Sequence, residues 1–183
     1  MTKADWIPQV GSALCVALFA SCAAPAARLG PAEVAESLLD AFYAWDAEGV
    51  ARRVASGPAA DRLLYYQAWA QAAHYAVQTR RPCELASTDR FICAVTVTDD
   101  FGSALGYVAT DTFIITVEGE RASNVEFEGN DPPVFEELFA WIAQQRPEVL
   151  AGPCHEMFAG GTTPAECSRA VAEAARAFAS LRK

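Results

Sequence analysis

Four cysteines, Cys83, Cys93, Cys154 and Cys167, are the side chains whose type and spacing bear most directly on chemistry. They are either zinc ligands or two disulfides. Paired zinc ligands stand ~2–4 residues apart, whereas residues 84–92 separate the first two cysteines and residues 155–166 the second two. No metal is therefore expected, and His155 and Glu156 beside Cys154 do not complete a site. Among the alternative pairings, local geometry favours Cys83 with Cys93 and Cys154 with Cys167. "CELASTDRFIC" reads as a hairpin with Ser87-Thr88-Asp89 at its tip, which sets the first two cysteines opposite one another and within bridging reach. The second two flank a Gly-Gly loop.

Proton chemistry has few candidates. Asp111 opens the alternating run "DTFIIT" and shares the face of Phe113 and Ile115, which directs a carboxylate inward. His74 lies beside a strip of glutamines and is expected to be half exposed. Tyr65, Tyr66, Trp69 and Tyr75 can line a pocket and offer polar tips, and Trp45 joins them as an apolar wall. Other reaction centres are absent. "GSALG" is not a nucleophile elbow, no phosphate-binding glycine pattern occurs, and the two histidines cannot form a His-x-x-x-His metal pair. No cofactor is implied.

The elements that must carry these residues follow from periodicity. Pro31 suits a first helical position with Glu33 in the first turn, and Val34, Leu38, Ala41, Phe42 and Trp45 make an apolar stripe. Gly49 breaks the pattern, and "VARRVAS" predicts a short second helix. "DRLLYYQAWAQAAHYAVQ" predicts a third, with Gln67, Gln71 and Gln78 on a polar strip. Period two then takes over, with Phe91, Cys93, Val95 and Val97 on one face of a strand. Asp99-Asp100 caps one helical turn closed by Gly106. Two strands follow around a Glu-Gly-Glu turn, with Phe113, Ile115, Val117, Val125 and Phe127 inward. Asp131-Pro132 opens a helix that Pro147 stops, and "TPAE" at Thr163 is a capping box for the last one.

The amino terminus is compositionally separate. Lys3 and Asp5 are its only charges, and the nearly unbroken apolar core from Val10 to Ala20 is shorter than the ~20 residues of a bilayer span. It fits the apolar region of a secretory signal. Phe19-Ala20-Ser21-Cys22 resembles the lipobox of bacterial lipoproteins, in which the cysteine is lipidated and becomes the new first residue. The alternatives are an ordinary signal cut nearby, for instance after Ala23, and an uncleaved anchor or a cytosolic protein. Residues 1–21 are thus expected to be a signal peptide, 22–30 a tether, and Cys22 the lipid attachment on the outer face of the cell membrane. Cys15 leaves with the signal, so four thiols enter an oxidising compartment. Removing one positive and one negative charge leaves the net charge at −9. Such a surface repels phosphate backbones, which argues against nucleic-acid binding.

Three helices followed by an antiparallel sheet resemble the nuclear transport factor 2-like, or SnoaL-like, superfamily. "AFYAWDAEGVARRVA" is similar to its first two helices, "VTDDFGSALG" to its strand-to-turn connection and "TFIITVEGERASNVEF" to its closing hairpin. The tail from "FEELFAWIAQQRPE" to "MFAGGTTPAEC" is similar to an extension in actinobacterial members. The resemblance implies an α+β fold: a cone-shaped curved antiparallel sheet on three N-terminal helices over 31–130, with a C-terminal helical extension over 131–183. Enzymes of this superfamily handle a proton with Asp, His or Tyr inside an apolar cavity.

The leading functional expectation is a non-catalytic, lipid-anchored envelope protein. Its cavity, lined by Trp45, Tyr65, Tyr66, Trp69, Phe113 and Ile115, binds a small apolar or amphipathic ligand or serves an interaction. The alternative is an exported isomerase or hydratase using Asp111 or His74. A third expectation is a filled cavity, with the sheet mediating homodimerisation.

Overall fold

A computed structural model describes residues 28–157 and 164–182. The expected signal, Cys22 and its lipid, most of the tether, and Thr163 of the capping box lie outside the described residues.

Helix α1, Pro31–Tyr43, starts where proline and a first-turn acid predict. Glu33 folds back so that its carboxylate accepts the Gly30 N–H at 2.7 Å. Val34, Leu38 and Phe42 form its buried stripe. Helix α2, Ala47–Arg53, begins ahead of the predicted position, because Trp45 adopts φ 60° and Asp46 caps the Gly49 N–H. Gly49 therefore sits inside the helix, and a Cβ there would fall 2.9 Å from the Ala41 Cβ and closer still to Asp46.

Helix α3 spans Pro58–Ala72 and is shorter than its sequence suggests. His74 turns the chain at φ 55°, and Ala76–Arg80 becomes strand β1. Cross-strand pairing of these residues with β3 overrides the helical preference of an Ala-Gln-rich run. The polar strip is corrected with it. Gln67 is 4% exposed, and its amide donates to the carbonyls of Ala41 and Phe42 at 3.1 and 3.0 Å. Those carbonyls belong to the last turn of α1, where helical N–H donors run out. Gln67→Leu is expected to cost about 1–3 kcal/mol, as removing one partner of a buried hydrogen bond does, and a urea melt would report it.

Strands β2 (Glu84–Ser87), β3 (Arg90–Thr98), β4 (Ala109–Glu118) and β5 (Arg121–Gly129) complete an antiparallel sheet of order β1-β3-β4-β5, with β2 also on β3. Phe91, Cys93, Val95 and Val97 alternate inward as the pattern predicts, as do Phe113, Ile115 and Val117. The six-residue helix α4, Asp100–Leu105, is capped by Asp99 and closed by Gly106 at φ 79°.

Both disulfides are as expected. Cys83 joins Cys93 across the β2–β3 hairpin, and Cys154 joins Cys167. They place the described chain in an oxidising environment. No described helix is long and apolar enough to cross a membrane.

Helix α5, Pro133–Gln145, ends before Pro147, which itself starts α6, Pro147–Ala151. Helix α7, Pro164–Leu181, buries Cys167, Val171, Ala174 and Phe178. Two apolar cores result. One lies between α1–α3 and the inner sheet face; the other gathers α4–α7 around Trp69 and Ala73. Trp69 belongs to a helix that touches both, so α3 ties the C-terminal helices to the sheet.

Candidate functional site

At the end of the sheet where β4 begins and β5 finishes, β4 presents Asp111 and its cross-strand partner on β5 is Gly129. Opposed residues face the same way, so β5 puts no side chain over the carboxyl. A cavity of about 200 Å³ opens here, lined by Phe42, Tyr66, Trp69 and Ala70 together with Tyr75, Asp111, Phe127, Gly129, Asp131 and Phe135. Tyr66, Trp69 and Ala70 stand at i, i+3 and i+4 on one face of α3. Tyr66 stacks on Phe127 with ring centroids 4.7 Å apart.

Asp111 is 3% exposed. The Tyr43 hydroxyl, from the last residue of α1, donates to its Oδ2 at 2.8 Å. Oδ1 has no hydrogen-bond partner among the described residues. Burial raises the carboxyl to about 7, outweighing the lowering effect of the Tyr43 hydrogen bond, and the charges of Asp131 and Asp99 add to the rise. Burial and the neighbouring Asp111 charge push the Tyr43 phenol far up, so it remains a donor. Tyr75 is raised by burial and then by Asp111. Asp131, exposed as a residue, has its carboxyl raised by the partial enclosure of the cavity wall. Behind the wall, burial raises Asp99 to about 6 against the hydrogen bond from the Gly102 N–H.

This arrangement can accept or deliver a proton near neutrality at Oδ1 while Tyr43 holds Oδ2. It can equally hold a polar group of a bound molecule against six aromatic rings. No group of side chains suited to a metal occurs among the described residues.

No family model, curated protein or solved structure matches this chain. The site therefore stands on its own geometry.

The sequence-predicted residues divide between the cavity and its surroundings. Asp111, Tyr66, Trp69 and Tyr75 line it. Phe113 and Ile115 share Asp111's face but lie deeper, fully packed in the first core. Tyr65 meets Tyr66 edge-on at 6.2 Å and is outside the lining, as is Trp45, which packs on the first core past the end of α1. His74 does not share the site. The left-handed turn after α3 swings it outward, its side chain 76% exposed and bonded to Asp100 at 2.9 Å.

Sequence reasoning missed Tyr43, Phe42 as lining, Phe127 as lining, Gly129, Asp131 and Phe135. Only Gly129 left a local trace: a glycine in strand register with Asp111 signals room beside it.

Proposed function

We propose that the protein is an exported binding protein whose ligand, a small molecule with an apolar body and one polar group, sits on Asp111 in the aromatic cavity. The observation that carries this is the buried Asp111 carboxyl, with one oxygen unpartnered among the described residues, in the wall of a cavity that the described side chains leave unfilled. Drug-sized ligands need ~300–1,000 Å³, so a cavity of about 200 Å³ calls for a small one.

The order of helices and strands, and a pocket between three helices and an antiparallel sheet, support the nuclear transport factor 2-like assignment and its cone-shaped sheet. Two disulfides support export, and lipidation of Cys22 is the anchor we assign on the lipobox resemblance. Intact mass of protein taken gently from its own membrane tests that anchor. The binding reading is tested by NMR titration with small aromatic probes such as tert-butylbenzene. The Trp69 indole resonance is expected to shift and saturate. Gly129→Leu, which fills the space beside Asp111, is expected to abolish the shift. Unmoved pocket resonances with every probe would end the reading.

A second reading is favoured by the Asp111–Tyr43 pair: a base poised near neutrality in an apolar pocket suits proton abstraction from carbon. A direct probe is 5-nitrobenzisoxazole. A carboxylate takes its ring C–H proton as the N–O bond breaks, giving a coloured cyanophenolate. Proton transfer by Asp111 predicts turnover rising with pH to a plateau above about 7. Asp111→Asn is expected to lower the rate by about 10²–10⁴. A rate matching that of acetate in solution would remove the enzymatic reading.

A further inference from the structure

Resting on the binding reading, we propose that the cavity's ligand is a small organic cation, an amine or quaternary ammonium on an apolar body, held by Asp111 and Asp131 within the aromatic wall. Among the described residues the lining contains two carboxylates and no lysine, arginine or histidine. Charged groups taken out of water are normally paired, yet Asp111 has only a neutral phenol as partner, and its Oδ1 has none among the described residues. Phe42, Tyr66, Trp69, Tyr75, Phe127 and Phe135 present the ring surfaces that attract cations by their quadrupoles. A net charge of −9 draws cations toward the mouth, where Asp131 stands. An anionic ligand would meet the opposite of each of these features.

The groups around Asp111 fix the pH behaviour. Tyr43 faces it from α1 and Tyr75 from the connection into β1. Asp99 acts from the cap of α4, and Asp131 from beyond β5. Arg80, on β1, acts on Tyr43 but is tied to Glu36 and Asp40. None of them supplies a positive charge to the cavity. Cation affinity should therefore rise with pH as Asp111 ionises, and bound cation should draw the carboxyl back down.

Phenyltrimethylammonium and tert-butylbenzene have the same shape and differ by one charge. At pH 8.5 the cation is expected to bind about tenfold or more tightly than the hydrocarbon, in keeping with a desolvated cation on aromatic faces. That advantage should shrink toward pH 5.5. Asp111→Asn should remove most of it, read as the ratio of the two probes' affinities for the same variant. Asp131→Asn, at an exposed position, should remove a smaller part and guards against a folding defect in the first variant. Equal binding of the two probes at pH 8.5 would overturn the cation assignment while leaving the cavity reading in place. A cation preference untouched by both variants would overturn it too, by placing the cation elsewhere on the acidic surface. Failure of both probes to bind would overturn it together with the binding reading.

Discussion

Replacing Asp111 by Asn is expected to make this protein more stable above pH 7. Burial holds the Asp111 carboxyl near 7 in the folded state, against an ordinary value of 3.8. Between those two values the folded chain binds more protons than the unfolded one, so stability falls as pH rises and levels off above about 7. The difference corresponds to about 4 kcal/mol as an upper bound, at about 1.4 kcal/mol for each pKa unit. Asp99, raised to about 6, adds in the same direction.

Asn keeps the shape and can still accept the Tyr43 hydroxyl, but it carries no charge to desolvate. Its amide N–H groups face the cavity, where water reaches them, so the net gain at pH 8 is expected to be about 2–3 kcal/mol. Near pH 5 the variant and the parent should be nearly equal, and at lower pH the parent should be the more stable. Urea unfolding at pH 5 and pH 8 checks both halves. A parent chain that gains stability between pH 5 and pH 8, or an Asn variant weaker at both, would mean that the carboxylate has a cationic partner.

The second large effect belongs to the disulfides. Each closes a short loop, with sequence separations of 10 and 13. Loop-closure entropy then gives about 3 kcal/mol for each bridge. They lie in separate clusters, one on the hairpin and one among the C-terminal helices, so their effects should add. Reducing both is expected to remove about 6 kcal/mol, a large part of the ~5–15 kcal/mol that a domain possesses. For a chain of this size the melting point should fall by roughly 12–24 °C. Calorimetry with and without a reductant measures it. Cys154–Cys167 also bears on the site, because both cysteines pack in the core that contains Trp69. Substituting that pair should loosen the α3 wall of the cavity, whereas Cys83 and Cys93 sit on the hairpin, outside the lining.

What was legible in the sequence is what local periodicity encodes. The inward set of β3 and β4 follows from alternation, and the hairpin cysteines follow from register. Asp111 could be placed on the apolar face for the same reason. Its partner could not. Tyr43 lies 68 residues earlier, and it reaches Asp111 only because Gln67 and the first core fix where α1 ends. The wall made by Phe135 and Asp131 comes from residues beyond the sheet, whose docking no pattern within them specifies. The boundary between α3 and β1 is hidden in the sequence because Ala and Gln suit a helix locally. Pairing with β3 decided otherwise. The stripe places Trp45 in the wall, but the left-handed turn at that residue carries it past the helix end.

The central claim is that Asp111 is a buried acid facing a cavity, with no cationic partner among the described residues, and its own titration tests this most directly. Carbon-13 NMR of the aspartate carboxyls, with Asp111 assigned by its loss in the Asn variant, should show a midpoint near 7 that moves down when a cation fills the site. A midpoint near 4, unmoved by any ligand, would show an ordinary solvated carboxylate and contradict the account.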